Sequence, residues 1–166
     1  IYNGQTLDGN NYSLNINGAG GTWDSGICTS GGLIKNLWVK GAFRGIFAKG
    51  ADHVETIVLD NVRVEGTTYT ISVDQAKYQG LVAKNSIFRG WTSYAATIGE
   101  VKFENCTFGA GSGYNFSRPY AGTEYKNCTF EDGHEMEPRA DVTFVNCNLN
   151  GVELTPTNVA SMVKWN

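Results

Sequence analysis

Apolar and polar residues alternate along most of this chain, and the alternation slips by one position at six asparagines. In most copies apolar residues stand four and two positions before the asparagine, and small or apolar residues stand one and three positions after it. Residues 101–108, VKFENCTF, show this pattern around Asn105. The six asparagines are spaced by 25, 24, 20, 22 and 19 residues, at Asn36, Asn61, Asn85, Asn105, Asn127 and Asn146. Such spacing indicates an internal repeat of solenoid length.

Strict alternation over short segments predicts strands rather than helices. A slip of one position would turn the inward side chains outward unless the chain bends at a corner. Asparagine tolerates the left-handed backbone of such a corner better than other residues that carry a side chain. Each repeat is therefore predicted to be a strand, an asparagine corner and a second strand.

A third strand is predicted in the variable half of each repeat. Its inward residues align at similar steps, at Phe47, Ile71, Ala96, Phe116 and Met136. Three short strands in a turn of about 20–25 residues predict an all-β fold, the single-stranded right-handed parallel β-helix. We expect about six rungs, an internal asparagine ladder, and stacks of cysteine and phenylalanine.

The chain is predicted to form one β-helix domain over residues 1–166. Residues 1–30 are interpreted as an N-terminal cap with an irregular first rung, residues 31–151 as regular rungs and residues 152–166 as a C-terminal cap. Caps are expected because open rungs expose strand edges. In the C-terminal cap, Pro156 indicates a helix start, and Val159, Met162 and Val163 follow at helical spacing.

Charged residues directly before the asparagines alternate in sign, in the order Lys35, Asp60, Lys84, Glu104 and Lys126. Neighbouring rungs would place them side by side, where opposite charges attract. This alternation favours a scaffold role for these charges over a charged binding strip.

Three of the four cysteines, Cys106, Cys128 and Cys147, directly follow corner asparagines. We expect them to stack inward as free, buried thiols that pack as small apolar residues. No metal site and no cofactor are predicted. Asn105 and Asn127 lie in N-C-T sequons, and as buried corner residues they are expected to be inaccessible to glycosylation.

Composition narrows the classes of partner. The formal net charge of −3 provides no basic field for nucleic acid, and no apolar run approaches the roughly 20 residues of a membrane span. The chain begins with Ile1 rather than Met, so we expect a processed product or an excised piece. Trimers or larger assemblies are compatible with the pattern, although no residue requires them.

The predicted third strands carry the residues with the most binding potential. A column of Gly45, Tyr69, Tyr94, Tyr114 and His134 is mostly aromatic, and polar residues flank it. Aromatic rings stack on sugar faces and polar side chains bond hydroxyls, so a glycan is a candidate ligand. The tyrosines would alternatively stack on one another only as packing between rungs. The candidate binding residues are Tyr69, Trp91, Tyr94, Tyr114, Asn115, Arg118, His134, Glu135 and Glu137, with Arg139 nearby.

Glu135 and Glu137 are two positions apart on a predicted strand, so they point the same way with side chains roughly 6–7 Å apart. That separation lies in the range of carboxylate pairs that hydrolyse glycosides. Acids near arginines on an exposed strand also form simple surface ion pairs. Both interpretations remain open at this point.

The asparagine-centred rungs and the inward Cys and Phe stacks, over residues 31–151, resemble the pectate-lyase-like right-handed parallel β-helix superfamily. That resemblance implies a fold shared by polysaccharide lyases, glycosidases, bacterial surface proteins and phage tailspikes. For the lyases it implies an aspartate cluster that holds Ca²⁺ and an arginine that acts as the base. The third-strand positions of this sequence offer no such cluster, and Arg118 in SRPY is the one loose match to the arginine. Of the hydrolase motifs NTD, DD, GHG and RIK, only GHE at residues 133–135 matches in part.

These observations favour a non-catalytic structural, receptor-binding or glycan-binding module of a phage or virion fibre or of a bacterial surface protein. Its location would be extracellular, on a cell surface or on a virion. Its partners would be a cell-surface polysaccharide and further copies in a homotrimer, fibre or virion assembly. The alternative is a polysaccharide lyase or glycoside hydrolase that uses Glu135 and Glu137. Ice binding would need a flat threonine array, which Thr70 and Thr97 do not make.

Overall fold

The computed structural model describes residues 1–17, 24–48, 55–65, 68–73, 80–94, 99–111, 113–138 and 141–165. The side chains of Val73, Ser93 and Tyr94 are outside that description, as are the predictions made for Ala96, Thr97 and Arg139. The fold is all-β, with 3% helix, and forms a parallel β-solenoid of about 5 turns. This confirms the predicted fold class, with slightly fewer rungs than the expected six. The right-handed coil stays a prediction.

The elements in chain order are β1 Thr6–Asn15, β2 Ser25–Thr29, β3 Gly32–Lys40, β4 Arg44–Ala48, β5 Ile57–Glu65, β6 Tyr69–Val73, β7 Leu81–Lys84, β8 Ile87–Arg89, β9 Trp91–Tyr94, β10 Val101–Glu104, β11 Thr107–Gly109, β12 Phe116–Arg118, β13 Thr123–Lys126, β14 Thr129–Phe130, β15 Glu135–Met136, β16 Thr143–Val145, β17 Asn148–Leu149, β18 Val152–Glu153 and α1 Val159–Met162. A twelve-stranded sheet holds the strands on both sides of the corner asparagines. A six-stranded sheet, in the order β15-β12-β9-β6-β4-β2, holds the third strands. Each regular turn therefore contributes three parallel strands.

The six repeat asparagines form the corners through a left-handed backbone. Their φ angles lie between 51° and 54°, as the slipped alternation predicts. Their side chains form a ladder: Nδ2 of Asn127 donates to Oδ1 of Asn105 at 3.2 Å, and Nδ2 of Asn146 donates to Oδ1 of Asn127 at 3.2 Å. The ladder breaks at Asn85, whose Nδ2 donates instead to Asp60 at 2.9 Å.

The asparagine ladder lies on the surface, whereas we expected it to be internal. Five of the six corner side chains are exposed, and that of Asn36 is half-buried. The prediction that Asn105 and Asn127 are buried was therefore wrong. A left-handed corner keeps the apolar neighbours on either side pointing inward, and it leaves its own side chain outside.

The core changes from aliphatic to aromatic along the solenoid. Phenylalanines stack between turns in the C-terminal half, where the ring centroids of Phe108 and Phe130 are 5.0 Å apart. Beside them Cys106, Cys128 and Cys147 are free and buried, as predicted. Their Sγ atoms donate to backbone carbonyls of the preceding turns. Hydrogen bonding with Cys106, together with burial, raises the pKa of the Cys128 thiol to about 12.

The charged column before the asparagines stacks in register, as predicted for a scaffold. Lys126 Nζ lies 3.1 Å from Glu104 Oε1, and Lys84 Nζ lies 3.9 Å from Glu104 Oε2. The column extends one turn further than expected, because Lys35 Nζ lies 3.2 Å from Asp8 Oδ2 in β1.

The two ends of the solenoid differ. At the N-terminal end β1 pairs in parallel with β3, with an irregularity between Asp8 and Tyr12. At the C-terminal end Asn150 and Gly151 both have positive φ, which makes the tight turn of a β-hairpin. The hairpin places β18 antiparallel on β17 and so covers that strand's edge. The helix α1 follows, and across the described ranges no helix is long and apolar enough to cross a membrane.

Candidate functional site

The outer face of the six-stranded sheet carries a column of large side chains in strand register. Tyr69 pairs with Trp91 on the next strand, and the pairing of Thr92 with Ser117 places Phe116 beside Trp91. Phe116 in turn pairs with Glu135. Short strands joined by parallel pairing therefore place three aromatic rings and a carboxylate in line along the solenoid axis.

We call Tyr69, Trp91, Tyr114 and Phe116 the aromatic row. The rings of Tyr69 and Trp91 are stacked, with centroids 4.5 Å apart and planes 26° apart. Trp91 also contacts Phe116 at 4.7 Å and Tyr114 at 5.4 Å. Ring contacts at these distances stabilise the packing of adjacent turns beyond the area they bury.

The members of the aromatic row differ in what they offer to a ligand. Tyr69 and Trp91 are half-buried and pack on their neighbours, so these two rings serve the packing between turns. Tyr114 stands at the edge of the row and is 40% exposed. Tyr114 is therefore the exposed member of the row, whereas Phe116 is half-buried like Tyr69 and Trp91.

Arg118 extends the row with a fixed positive charge. Its guanidinium carbon lies 4.6 Å from the centroid of Phe116 and 5.6 Å from that of Trp91. Its Nε donates to Glu137 Oε2 at 2.6 Å. A guanidinium stacked on rings and bonded to a carboxylate loses little further freedom when it bonds a ligand.

Both candidate catalytic carboxylates are ion-paired. Glu137 binds Arg118, and Glu135 Oε2 lies 2.7 Å from Lys164 Nζ in the C-terminal segment. Both face outward on either side of the buried Met136, as the two-residue spacing predicted. Each carboxylate therefore already has a cationic partner within the protein.

The structure brings together six of the predicted binding residues: Tyr69, Trp91, Tyr114, Arg118, Glu135 and Glu137. Asn115 is half-buried, and its Nδ2 donates to the carbonyl of Gly133 at 2.6 Å, which is a structural contact. Tyr94 pairs by its backbone with Val73, three residues beyond Trp91 in β9, and its side chain is outside the described part.

His134 lies inside the solenoid, so its predicted place on the outer face was wrong. It is 1% exposed, and its Nε2 is hydrogen-bonded to Ser117 Oγ at 2.9 Å. The ring stacks on Phe130 with centroids 5.9 Å apart. Burial lowers the pKa of His134 to about 4 and outweighs the opposing effects of the Gly109 backbone, Glu131 and Glu135.

The predicted alignment of the third strands was shifted in two turns. Ser117 is buried and pairs with Met136, so Phe116 points outward although we expected it to point inward. Likewise Ile46, rather than Phe47, pairs with Ile71. A sequence signal could have shown that Phe116 is the outward residue equivalent to Trp91. Each of the two is followed by a small residue, and these residues, Ser117 and Thr92, pair with each other.

Comparisons of this chain with protein-family models, curated proteins and solved structures find no match. The fold and the outer face place the chain in the class of parallel β-solenoids with an aromatic and charged strip along one sheet.

Proposed function

We propose that this solenoid is a non-catalytic glycan-binding module whose ligand lies against Tyr114 and Arg118. The observation that carries the proposal is the exposed ring of Tyr114, which contacts the same Trp91 and Phe116 rings as the ion-paired Arg118. A sugar ring has one apolar C–H face and a rim of hydroxyls. Tyr114 suits the first feature, and Arg118 with Glu137 suits the second.

Preorganisation supports binding at this face. Trp91 and Phe116 contact the Tyr114 ring, with centroid distances of 5.4 and 6.1 Å, and Glu137 holds Arg118. Groups held in place before binding lose less conformational entropy when the ligand arrives. A row of side chains along a sheet suits an extended chain more than a small molecule, which usually occupies a concave pocket.

The second candidate is a polysaccharide-degrading enzyme, and the observation in its favour is that Glu135 in β15 and Glu137 just after it both lie on the outer side of the buried Met136. The two salt bridges weigh against it, because each carboxylate already has a cationic partner. Release of reducing ends from a polysaccharide panel, abolished in Glu137→Gln, would replace the binding function with this one.

The biological setting is part of the proposal. The resemblance to pectate-lyase-like β-helices supports an extracellular, cell-surface or virion location, in a bacterial surface protein or a tailspike-like fibre. A homotrimer or larger assembly would repeat the binding face and raise avidity for a repetitive polysaccharide. Light scattering of the purified chain tests the assembly separately from binding.

A glycan array tests the proposed site. We expect Tyr114→Ala and Arg118→Met each to weaken binding about tenfold, as anchoring residues commonly do. The matched control is Tyr12→Ala, because Tyr12 is 72% exposed but lies on the other sheet. Equal binding by the parent, Tyr114→Ala and Arg118→Met would place the site elsewhere, and an array without any bound glycan would overturn the function.

A further inference from the structure

A cavity of about 260 Å³ opens where the outward column of the six-stranded sheet ends. Its deeper lining is apolar and comes from Met136 and Leu149, each 2% exposed, with the half-buried Met162 beside them. Its polar lining includes Glu135, Asn150 and Lys164. Glu135 belongs to both the cavity and the column, directly beside Phe116. The aromatic row therefore leads into the cavity.

The walls of the cavity are held in place by contacts of the protein with itself. The backbone N–H of Lys164 donates to the carbonyl of Met136 at 3.0 Å, which fastens the C-terminal segment to β15. Asn150 Oδ1 accepts from the backbone N–H of Gly133 at 3.1 Å. The salt bridge from Lys164 to Glu135 joins the same two elements a second time. A ligand would meet a largely preformed site.

The lining offers polar as well as apolar groups, and its carboxylate and its ammonium group are paired with each other. Asn150 Nδ2 has no hydrogen-bond partner within the described ranges, so it is available to donate. Glu135 can accept further hydrogen bonds and Lys164 can donate them. The volume is below the roughly 300–1,000 Å³ of pockets for drug-sized ligands, which leaves room for a single small ring.

We propose that this cavity holds the terminal, uncharged pyranose of an oligosaccharide that lies along the aromatic row. Its C–H face would rest on Met136, Leu149 and Met162, and its hydroxyls would bond Glu135, Asn150 and Lys164. An anionic sugar is disfavoured, because Lys164 is already paired with Glu135 and no second lysine or arginine is among the lining residues. This inference rests on the proposed glycan binding and adds a preference for neutral chain ends.

Methyl NMR reads the cavity directly, since the chain has two methionines and both line it. The parent protein is labelled with ε-¹³C-methionine and titrated with cellohexaose, maltohexaose, mannohexaose and chitohexaose, and separately with hexagalacturonate. We expect at least one neutral hexamer to shift both methyl signals and to give nuclear Overhauser effects to sugar ring protons. Hexagalacturonate is expected to leave both signals in place.

Two variants separate this inference from the proposed function. Met162→Trp fills the cavity and Lys164→Met removes the ammonium group, and we expect either to weaken binding of the neutral hexamer about tenfold. The matched control is Lys102→Met, which removes a lysine bonded to Glu100 on the other sheet. Thermal unfolding followed by circular dichroism shows that each variant folds.

The outcomes distinguish the two claims. The neutral hexamer could bind in a way that depends on Tyr114 while both methyl signals stay in place and Lys164→Met binds as well as the parent. That result overturns the cavity assignment and leaves the proposed function standing. A shift with hexagalacturonate equal to that with neutral sugars overturns the selectivity. Absence of binding by every glycan overturns both claims.

Discussion

Arg89 and Glu131 lie two turns apart in the solenoid and are joined by two hydrogen bonds. Arg89 Nε is 3.0 Å from Glu131 Oε2, and Nη2 is 2.6 Å from Oε1. The turn between them has Gly109 in the same column, paired with Arg89. The guanidinium lowers the pKa of Glu131, and the carboxylate raises that of Arg89. Because glycine has no side chain, the bridge can pass over the intervening turn.

Gly109→Ala is expected to destabilise the protein. A Cβ at Gly109 would contact the Glu131 carboxylate and come within 3.3 Å of Arg89 Cγ, so the bridge must open. Both charged side chains are partly exposed, at 29% and 36%, so the expected loss of unfolding free energy is about 1 kcal/mol. Urea denaturation measures it.

A control background is expected to reverse the sign of the effect of Gly109→Ala on the unfolding free energy. A Glu131→Ala background removes both the bridge to Glu131 and the carboxylate that a Cβ at Gly109 would meet, while Arg89 keeps its salt bridge to Glu65. There, alanine in place of a glycine without positive φ is expected to be neutral or to stabilise by up to about 1 kcal/mol. An equal loss from Gly109→Ala in both backgrounds would show that steric crowding, rather than the bridge, sets the cost.

Two substitutions of Asn127 separate the contribution of the left-handed corner to stability from that of the asparagine ladder. Asn127→Gly keeps the left-handed backbone, with φ of 53° in the parent, but removes the amide that bonds Asn105 and Asn146. We expect it to lower unfolding free energy by about 1–2 kcal/mol. Asn127→Ala loses the same amide and also places a Cβ in the left-handed region, which adds roughly 1–2 kcal/mol.

Denaturant melts of the two variants check this order. Glycine and alanine variants of equal stability would mean that the corner relaxes out of the left-handed conformation. The comparison is informative at this surface position because the Asn127 side chain is exposed and fills no cavity.

The corners were predictable from sequence, whereas the third-strand register was not. A left-handed asparagine between two alternating segments is a local requirement, so the one-position slip reveals it directly. The third strand begins at Trp91, six residues after Asn85, but at Phe116, eleven residues after Asn105. Loops of different length precede strands that nonetheless pair in register, so chain distance misplaced Phe116 and His134.

The candidate binding face was therefore predicted with the wrong alignment. Trp91, Arg118, Glu135 and Glu137 were identified because aromatic and charged residues cluster in that half of the repeats. The contact of Lys164 with Glu135 had no sequence signal, since it depends on how the C-terminal segment folds back onto β15.

Thiol reactivity should distinguish one cysteine from the other three. Cys28 is exposed, whereas Cys106, Cys128 and Cys147 are buried and donate to backbone carbonyls. Hydrogen bonding between the stacked cysteines, together with burial, raises the pKa of Cys128 and Cys147, which disfavours their thiolates. The bond to Cys128 lowers the pKa of Cys106, so the protection expected for Cys106 rests on its burial. We expect Ellman's reagent at pH 8 to modify one thiol in the native protein and four in denaturant. Cys28→Ser should abolish the native reaction, and rapid modification of two or more thiols would contradict the buried column.

The burial of His134 predicts that the folded protein loses stability in acid. Its folded pKa of about 4 lies below its ordinary value of 6.5 because burial disfavours the charged ring. Between these values the unfolded chain binds more protons than the folded one, so stability falls as pH decreases from about 6.5 to about 4. The full effect is about 3 kcal/mol, from roughly 1.4 kcal/mol for each pKa unit.

The measurement is unfolding free energy by urea denaturation at pH 7, 6, 5 and 4, for the parent and for His134→Gln. Glutamine can keep a hydrogen bond to Ser117 but does not titrate, so its stability should fall less over this range. The second histidine, His53, and the carboxylates are the same in both proteins and cancel in the difference. Parallel pH profiles for the two proteins would mean that His134 is charged inside the fold or reaches solvent. If the ring is charged, Nε2 of His134 carries a proton and donates the hydrogen bond to Ser117 Oγ.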